Sequence, residues 1–532
     1  MAHKNSLQLL VLSAAVVVAS FLWQGSAGLN LWDEGYLWYG AQRVMLGEVP
    51  IRDFMAYDPG RYYWSAAFMS AWGDNGIMAL RSAVAIFQAI GLFVGLLLIS
   101  RASDPDGKPD RPYLLVAASV LALWMFPRHK LFDISLSILL IGVLAFLVRK
   151  PTRRRYFVAG LCVGFIAVFG RNHGMYGSVG SIAAIAWLGI RRTSGPVAYE
   201  GLAFWLAGVG VGFAPIVLMA WLIPGFGSAF WESIRFLFDI RFQMLPIPVP
   251  WPWRVDPSVR SGDGIRAVLV GLFFVGTLVF GVLSVLWAVR QKLQSQRISP
   301  VLVAASVLAL PYAHHAFSRA DVGHLAQGIF PLLVGGLAVL ATQPATVKWP
   351  AALVLCAASF WVMHGFHPGW QCRTSTHCVD VEVSGDRLRV DPSTAGDIAL
   401  LRNLAEKYAP DGKGFIVTPY WPGAYALLER KSPAWEIYAL FPRSEEFERE
   451  EIDRLKTSDL GFAFVLDLPL DGRDDLRFGN THPLLHRYLL DRFEALPGSP
   501  NPAYRIFKAR EDARDKPKWQ ASGSPEPTHA AP

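Results

Sequence analysis

Two adjacent carboxylates, Asp33 and Glu34, open a segment in which Leu37, Trp38, Ala41, Val44 and Met45 recur at helical spacing. Such a stripe predicts an amphipathic helix over 34–46 lying on a membrane face, which fixes both acids where membrane meets water. A carboxylate there can take the proton of a hydroxyl as it attacks an electrophilic carbon. The plainer role is capping, because acids are favourable at a helix N-terminus. A second set of groups is cationic. Arg128 with Lys130, Arg171, and Arg319 with His324 stand on three short polar turns between apolar runs. Arginine binds phosphate bidentately and lysine as a point charge, so these turns suit a phosphate group. Headgroup contact, or local pairing such as Arg319 with Asp321, is the alternative. Asp133 begins the helix after Lys130, where it could cap or join the same site. His129, His173, His314, His315 and His324 fall near the same ends. Imidazoles with Asp can hold a divalent metal, but these come from different segments without a close ligand motif. Simple hydrogen bonding is the expected role, and no residue is assigned to metal.

The elements that must position these groups are membrane spans. Of 532 residues, 53% are hydrophobic and only 17% charged, against about 25% charged in an ordinary soluble domain. That excludes a disordered chain and argues against a cytosolic enzyme. Residues 7–23, 76–100, 201–223, 265–289 and 349–366 each suit one crossing of about 20 residues. The first could also be read as a signal peptide, because Gly25-Ser26-Ala27 loosely resembles a cleavage site. Residues 113–148, 156–190 and 300–342 greatly exceed a 30 Å hydrocarbon core at 1.5 Å per residue. Each is read as a helical hairpin, giving about eleven transmembrane helices.

The charge pattern tests that count. Residues 1–366 hold 28 Lys+Arg against 16 Asp+Glu, whereas 367–532 hold 22 against 26. With the N-terminus inside, every even-numbered connection is basic: Lys108 and Arg111, Arg149 to Arg155, Arg191 and Arg192, Arg290 to Arg297, and Lys348. This is the positive-inside pattern, so the basic excess needs no nucleic-acid partner. An odd span number places the C-terminal region outside, where Cys372 and Cys378 can close a small disulfide. That region reads as a small α/β domain, 367–510, with helices at 391–408, 443–457 and 482–496 and strands at 414–418, 461–467 and 504–509. Residues 511–532 are Pro/Ser-rich and polar, as in a disordered tail. The expected division is thus 1–366 transmembrane and catalytic, 367–510 extracytoplasmic, 511–532 tail. No Walker loop, dinucleotide Gly loop or zinc spacing is present.

Several motifs together resemble a known group. An Asp-Glu pair follows the first span, then Leu46-Gly47-Glu48-Val49-Pro50 with Asp53-Phe54, Pro59-Gly60 before the next helix, and Ala79-Leu80-Arg81 entering the second span. The segment 30–81 is similar to the GT-C superfamily of membrane glycosyltransferases, in particular to its protein O-mannosyltransferase and aminoarabinose transferase group. The resemblance implies a GT-C-like polytopic fold and transfer of one sugar from a polyprenyl-phosphate carrier to a glycan, lipid or protein acceptor on the outer membrane face. It implies Asp33 as the base, with Glu34 orienting the acceptor or the loop. Arg61, Arg81, Arg128, Lys130, Asp133, Arg171, Arg319 and His324 become candidates for holding the donor phosphate, and a divalent metal is possible because some members use one. Because the leaving group is already a phosphate, no paired acid is required. The short outer domain lacks the repeats of the eukaryotic mannosyltransferases, which favours a bacterial inner-membrane enzyme acting on an envelope lipid or glycan.

Two other readings compete. A transporter or flippase of lipid-linked saccharides would place its polar groups near the midplane of related halves, whereas the acids here gather at one face. An assembly or sensor protein would work through the outer domain alone.

Overall fold

The computed structural model describes residues 2–103, 110–191, 195–240, 245–256, 261–373 and 377–510. The expected tail, 511–532, lies outside them, as do Lys108 and Arg192. The chain packs into two units. The larger comprises Met1–Leu400 with Trp421–Glu429 and Trp435–Tyr438; the smaller comprises Leu401–Tyr420, Arg430–Ala434 and Ala439–Pro532.

In chain order the larger unit holds α1 (Ala2–Gln24), α2 (Asp33–Met45), α3 (Pro59–Trp72), α4 (Ile77–Ser103), α5 (Arg111–Trp124), α6 (Leu131–Arg149), α7 (Arg153–Phe169), α8 (Arg171–Gly189), α9 (Ala198–Leu222) and α10 (Phe226–Asp239). There follow α11 (Gly262–Leu293), α12 (Pro300–Ser318), α13 (Val322–Gly328), α14 (Phe330–Ala341), α15 (Ala345–Met363) and the short α16 (Pro368–Gln371). Among the described residues, seven helices are long and apolar enough to cross a membrane: α1, α4, α6, α9, α11, α12 and α15. They become eight if α13 and α14 form one span bent by 54°. Helices also occupy the remaining expected segments, but α5, α7 and α8 are shorter or more polar.

Local chemistry explains the breaks. Asp110 caps α5 by accepting from the Tyr113 N–H, with Pro112 in the first turn where no donor is missed. The bend between α13 and α14 falls just before Pro331, which has no N–H to give and whose ring crowds the carbonyl of Gln327. Helices α7 and α9 meet through Gly160 and Gly164 on one side and Gly208 and Gly212 on the other. A Cβ at any of these would run into the facing backbone, so small residues bring the two backbones together.

Helix α2 does not lie on a lipid surface. Every residue from Glu34 to Gln42 is buried, because α3 packs on it and α18 (Gly423–Leu427), from far along the chain, packs against it too. Trp38 and Gln42 both donate from their side chains to the Asn75 carbonyl, at 2.9 and 3.0 Å.

The hairpin β1 (Val379–Val383) and β2 (Asp386–Val390) also belongs to the larger unit. Its two-residue turn is Ser384-Gly385, with φ of 47° and 82°, as a right-twisted hairpin requires. The Arg389 carbonyl accepts from Gly28 N at 2.7 Å and Arg389 N donates to the Ser26 carbonyl at 2.8 Å. Those bonds tie the hairpin to the turn that follows α1.

Helix α17 (Pro392–Tyr408) leads into the smaller unit, whose sheet has the order β3-β4-β6-β5. Strands β3 (Gly414–Thr418) and β4 (Leu460–Leu466) are parallel; β6 (Tyr504–Ala509) pairs antiparallel with β4 and with β5 (Phe493–Ala495). Every residue of β4 is buried, matching a strand covered on both faces. Helices α19 (Glu445–Lys456), α20 (Phe478–Thr481) and α21 (Pro483–Arg492) supply Leu455, Phe478, Leu485 and Leu489 to a core with Ile416, Val465 and Phe507. The expected helix over 482–496 stops at Arg492, and the chain extends into β5.

Candidate active site

The site is built on the turn from α1 into α2. Two arginines hold this turn by its carbonyls. Arg81 donates to Gly25 at 2.7 Å and to Gly28 at 2.8 Å; Arg128 donates to Gln24 at 2.9 Å and to Ala27 at 2.8 Å. Both also reach Glu34. Arg81 makes a bidentate pair with it, at 2.8 and 2.7 Å, and Arg128 Nε lies at 3.4 Å. Burial alone would raise the Glu34 pKa, but Arg81 and Arg128 outweigh it and hold the carboxyl at about 2.

Asp33, one residue earlier, has different neighbours. The N-terminal N–H groups of α2 at Trp32 and Asp33 are taken by the Asn30 side chain, at 2.8 and 2.9 Å. Capping therefore does not occupy the Asp33 carboxylate. It is 36% exposed, against 5% for Glu34. Its Oδ2 lies 3.6 Å from His129 Nε2, and its Oδ1 lies 3.4 Å from the Tyr438 hydroxyl. Burial pushes its pKa up, yet His129, Lys130 and Tyr438 together bring it below the ordinary value.

The other candidate acids are each closed by arginine. Asp133 accepts from Arg61 at 3.0 and 3.2 Å and faces His173 Nε2 at 3.0 Å, while His173 Nδ1 meets the Tyr312 hydroxyl at 2.7 Å. Arg61 spends its remaining donors on the Phe169 carbonyl. Asp58 pairs with Arg171 at 2.6 Å, and Arg171 also reaches Ser233 Oγ at 2.8 Å. Asp321 pairs with Arg319 at 2.9 Å and receives both the backbone N–H and the Nδ1 of His324, at 2.8 and 3.0 Å. Arg319 reaches the Leu245 carbonyl as well, at 3.1 Å.

Of the cations marked in the sequence, Arg61, Arg81, Arg128, Arg171 and Arg319 are thus committed to carboxylates or carbonyls. Lys130 is not. Its ammonium sits 4.8 Å from the centroid of the Tyr57 ring, a cation–π contact, with no carboxylate at ion-pair distance among the described residues. Among those residues no three His, Cys, Asp or Glu side chains converge on a metal-sized point. His173, His315 and His324 bond instead to Asp133 and Tyr312, Gln327, and Asp321.

Cys372 and Cys378 are joined by a disulfide packed on Ala27, at the turn that Arg128 holds. Tyr438 and Asn30 carry no motif. Asn30 precedes an acidic helix start, a capping signal the sequence offered; Tyr438 lies 405 residues from Asp33, and no local pattern marks it.

No protein-family profile and no curated protein matches the sequence. Similarity is found to solved structures. The crystal structure of ArnT from Cupriavidus metallidurans bound to undecaprenyl phosphate matches with a TM-score of 0.52 at 12% identity, over 96% of this chain and 99% of that one. The archaeal oligosaccharyltransferase AglB from Archaeoglobus fulgidus, in complex with an inhibitory peptide and a dolichol-phosphate, matches with a TM-score of 0.47 at 12% identity, over 96% of this chain and 75% of that one. The ArnT match, over nearly the whole of both chains, shows a shared fold.

Proposed function

We propose that the chain is a membrane glycosyltransferase that moves a single sugar from a polyprenyl-phosphate carrier to a hydroxyl of an envelope lipid, glycan or protein. One observation carries the reading. Among the five acids clustered near these turns, Glu34, Asp58, Asp133 and Asp321 each pair with an arginine; Asp33 has no arginine at ion-pair distance among the described residues, lies beside His129 and Tyr438, and stays partly exposed. A carboxylate so placed can accept a proton. The ArnT likeness, to a protein bound to a polyprenyl phosphate, supports the carrier class.

In the proposed reaction the acceptor hydroxyl gives its proton to Asp33 as its oxygen attacks the anomeric carbon. The new C–O bond forms while the bond from that carbon to the phosphate oxygen breaks, and polyprenyl phosphate leaves with the electron pair. Lys130 stabilises the charge that develops on that phosphate. Arg81, Arg128 and Glu34 hold the α1–α2 turn so that Asp33 keeps its place. Residues 1–366 form the transmembrane part of this proposal, and reaction at the outer face of a bacterial inner membrane is its topology.

The test is transfer of a labelled sugar by purified protein in liposomes, from a panel of polyprenyl-phosphate sugars to envelope lipid extract. Labelled product from one donor supports the proposal. Passage of intact donor across the bilayer without product would favour a transporter instead.

A further inference from the structure

Helix α2 is covered on one side by a strap that arrives from nearly 400 residues later. Gly35 and Gly423 meet backbone to backbone: a Cβ on Gly35 would fall on the Gly423 main chain, and Gly423 N donates to the Leu31 carbonyl at 2.9 Å. Glycine on both sides is what permits this approach. A few residues on, Trp435 fastens the strap twice more. Its indole N–H donates to the Ile51 carbonyl at 3.0 Å, and its own carbonyl accepts from Met55 N at 2.9 Å. Those anchors deliver Tyr438. Its ring packs against Tyr36 with centroids 5.5 Å apart, the residue is only 6% exposed, and its hydroxyl stands 3.4 Å from Asp33 Oδ1.

We infer that Tyr438 is a positioning residue for sugar transfer, fixing the rotamer of the Asp33 carboxylate from the Oδ1 side so that Oδ2, beside His129, is the oxygen presented to the acceptor. The inference rests on the proposed role of Asp33. Three features support it. The hydroxyl is buried and its ionisation is pushed far above the ordinary tyrosine range, first by burial and then by Asp33, so it stays a donor. Among the described residues Asp33 has no arginine to lock it, unlike Glu34. At 3.4 Å the contact is longer than a tight O–H···O bond, so it steers the carboxylate while lowering its basicity only slightly. The groups facing Asp33 are His129, Lys130, Tyr438 and His324, and of these only Tyr438 belongs to the strap.

The experiment compares wild type and Tyr438→Phe as purified full-length protein in the same liposome assay, with kcat, KM and the pH profile measured for both. The expected result is a kcat lowered roughly tenfold with KM for donor and acceptor unchanged. The acid limb of kcat/KM should move to higher pH, because the carboxylate has lost a donor that favours its charged form. Wild-type rates and profile in Tyr438→Phe would overturn the inference while leaving Asp33 as base. So would a lowered kcat with an unmoved profile, which marks a packing role, or a raised KM alone, which marks a substrate contact. Wild-type protein without transfer from any donor would remove the reading of the site and the inference together.

Discussion

Arg61 presents both terminal nitrogens to Asp133, at 3.0 and 3.2 Å, and neither side chain exposes more than 10% of its surface. The pair ties α3 to α6, and with His173 and Tyr312 it ties both to α8 and α12. Taken singly, each had the look of a group waiting for substrate; together they neutralise each other in a place where an unpaired charge is very costly.

Asp133→Asn should therefore act on stability. Leaving the buried Arg61 guanidinium without its carboxylate costs about 3–5 kcal/mol, read as a marked drop in the melting temperature of the detergent-solubilised protein. A variant that melts like wild type would show that the pair contributes little to the fold.

Asp33→Asn and Glu34→Gln should separate cleanly. The first leaves the melting temperature near that of wild type, since no buried ion pair is lost. The second breaks the buried pair with Arg81 and lowers it. Side-by-side thermal unfolding checks this, and the reverse order of stabilities would contradict the assignment of Glu34 as the structural acid.

The pH dependence of stability follows from Glu34, whose carboxyl is held at about 2 in the folded chain against an ordinary 4.5. A lowered folded-state pKa means the contribution is complete above 4.5 and is lost as pH falls toward about 2. The wild-type melting temperature should decline across that window, and Glu34→Gln should decline less. Activity should keep its base to lower pH than an ordinary aspartate allows, because Asp33 too is shifted downward.

Lys130→Met should lower kcat/KM for the polyprenyl-phosphate donor about tenfold or more, the loss of one charged contact to the phosphate on which charge develops, with little change in melting temperature. Arg128→Met should instead destabilise, because it strips donors from the Gln24 and Ala27 carbonyls and a charge from Glu34. Equal effects of the two substitutions on kcat/KM for the donor would argue that Lys130 has no special role.

Much of the helical scaffold could be read from the sequence because membrane helices are written in long apolar runs. The polar tips at 127–133 and 171–173 mark where α5 gives way to α6 and α7 to α8. The kink before Pro331 was missed, since one proline inside an apolar run carries no length signal. The sheet strands β3, β4 and β6 were legible from short β-type runs, whereas the β1–β2 hairpin was not, its faces being mostly exposed and charged. Within the site, Asp33 and Glu34 look equivalent in sequence. What distinguishes them is Arg81 and Arg128 on one side and Tyr438 on the other, at separations of 47, 94 and 405 residues that no local pattern encodes.

The most direct test of the account is the transfer rate of Asp33→Asn beside wild type, with the same donor, acceptor extract and liposomes. A base that accepts the acceptor's proton contributes about 10²–10⁴-fold, so the variant should fold normally and lose at least a hundredfold in kcat. A normally folded Asp33→Asn protein that transfers sugar at the wild-type rate would contradict the account, because the one acid here without an arginine partner would then play no part in the chemistry.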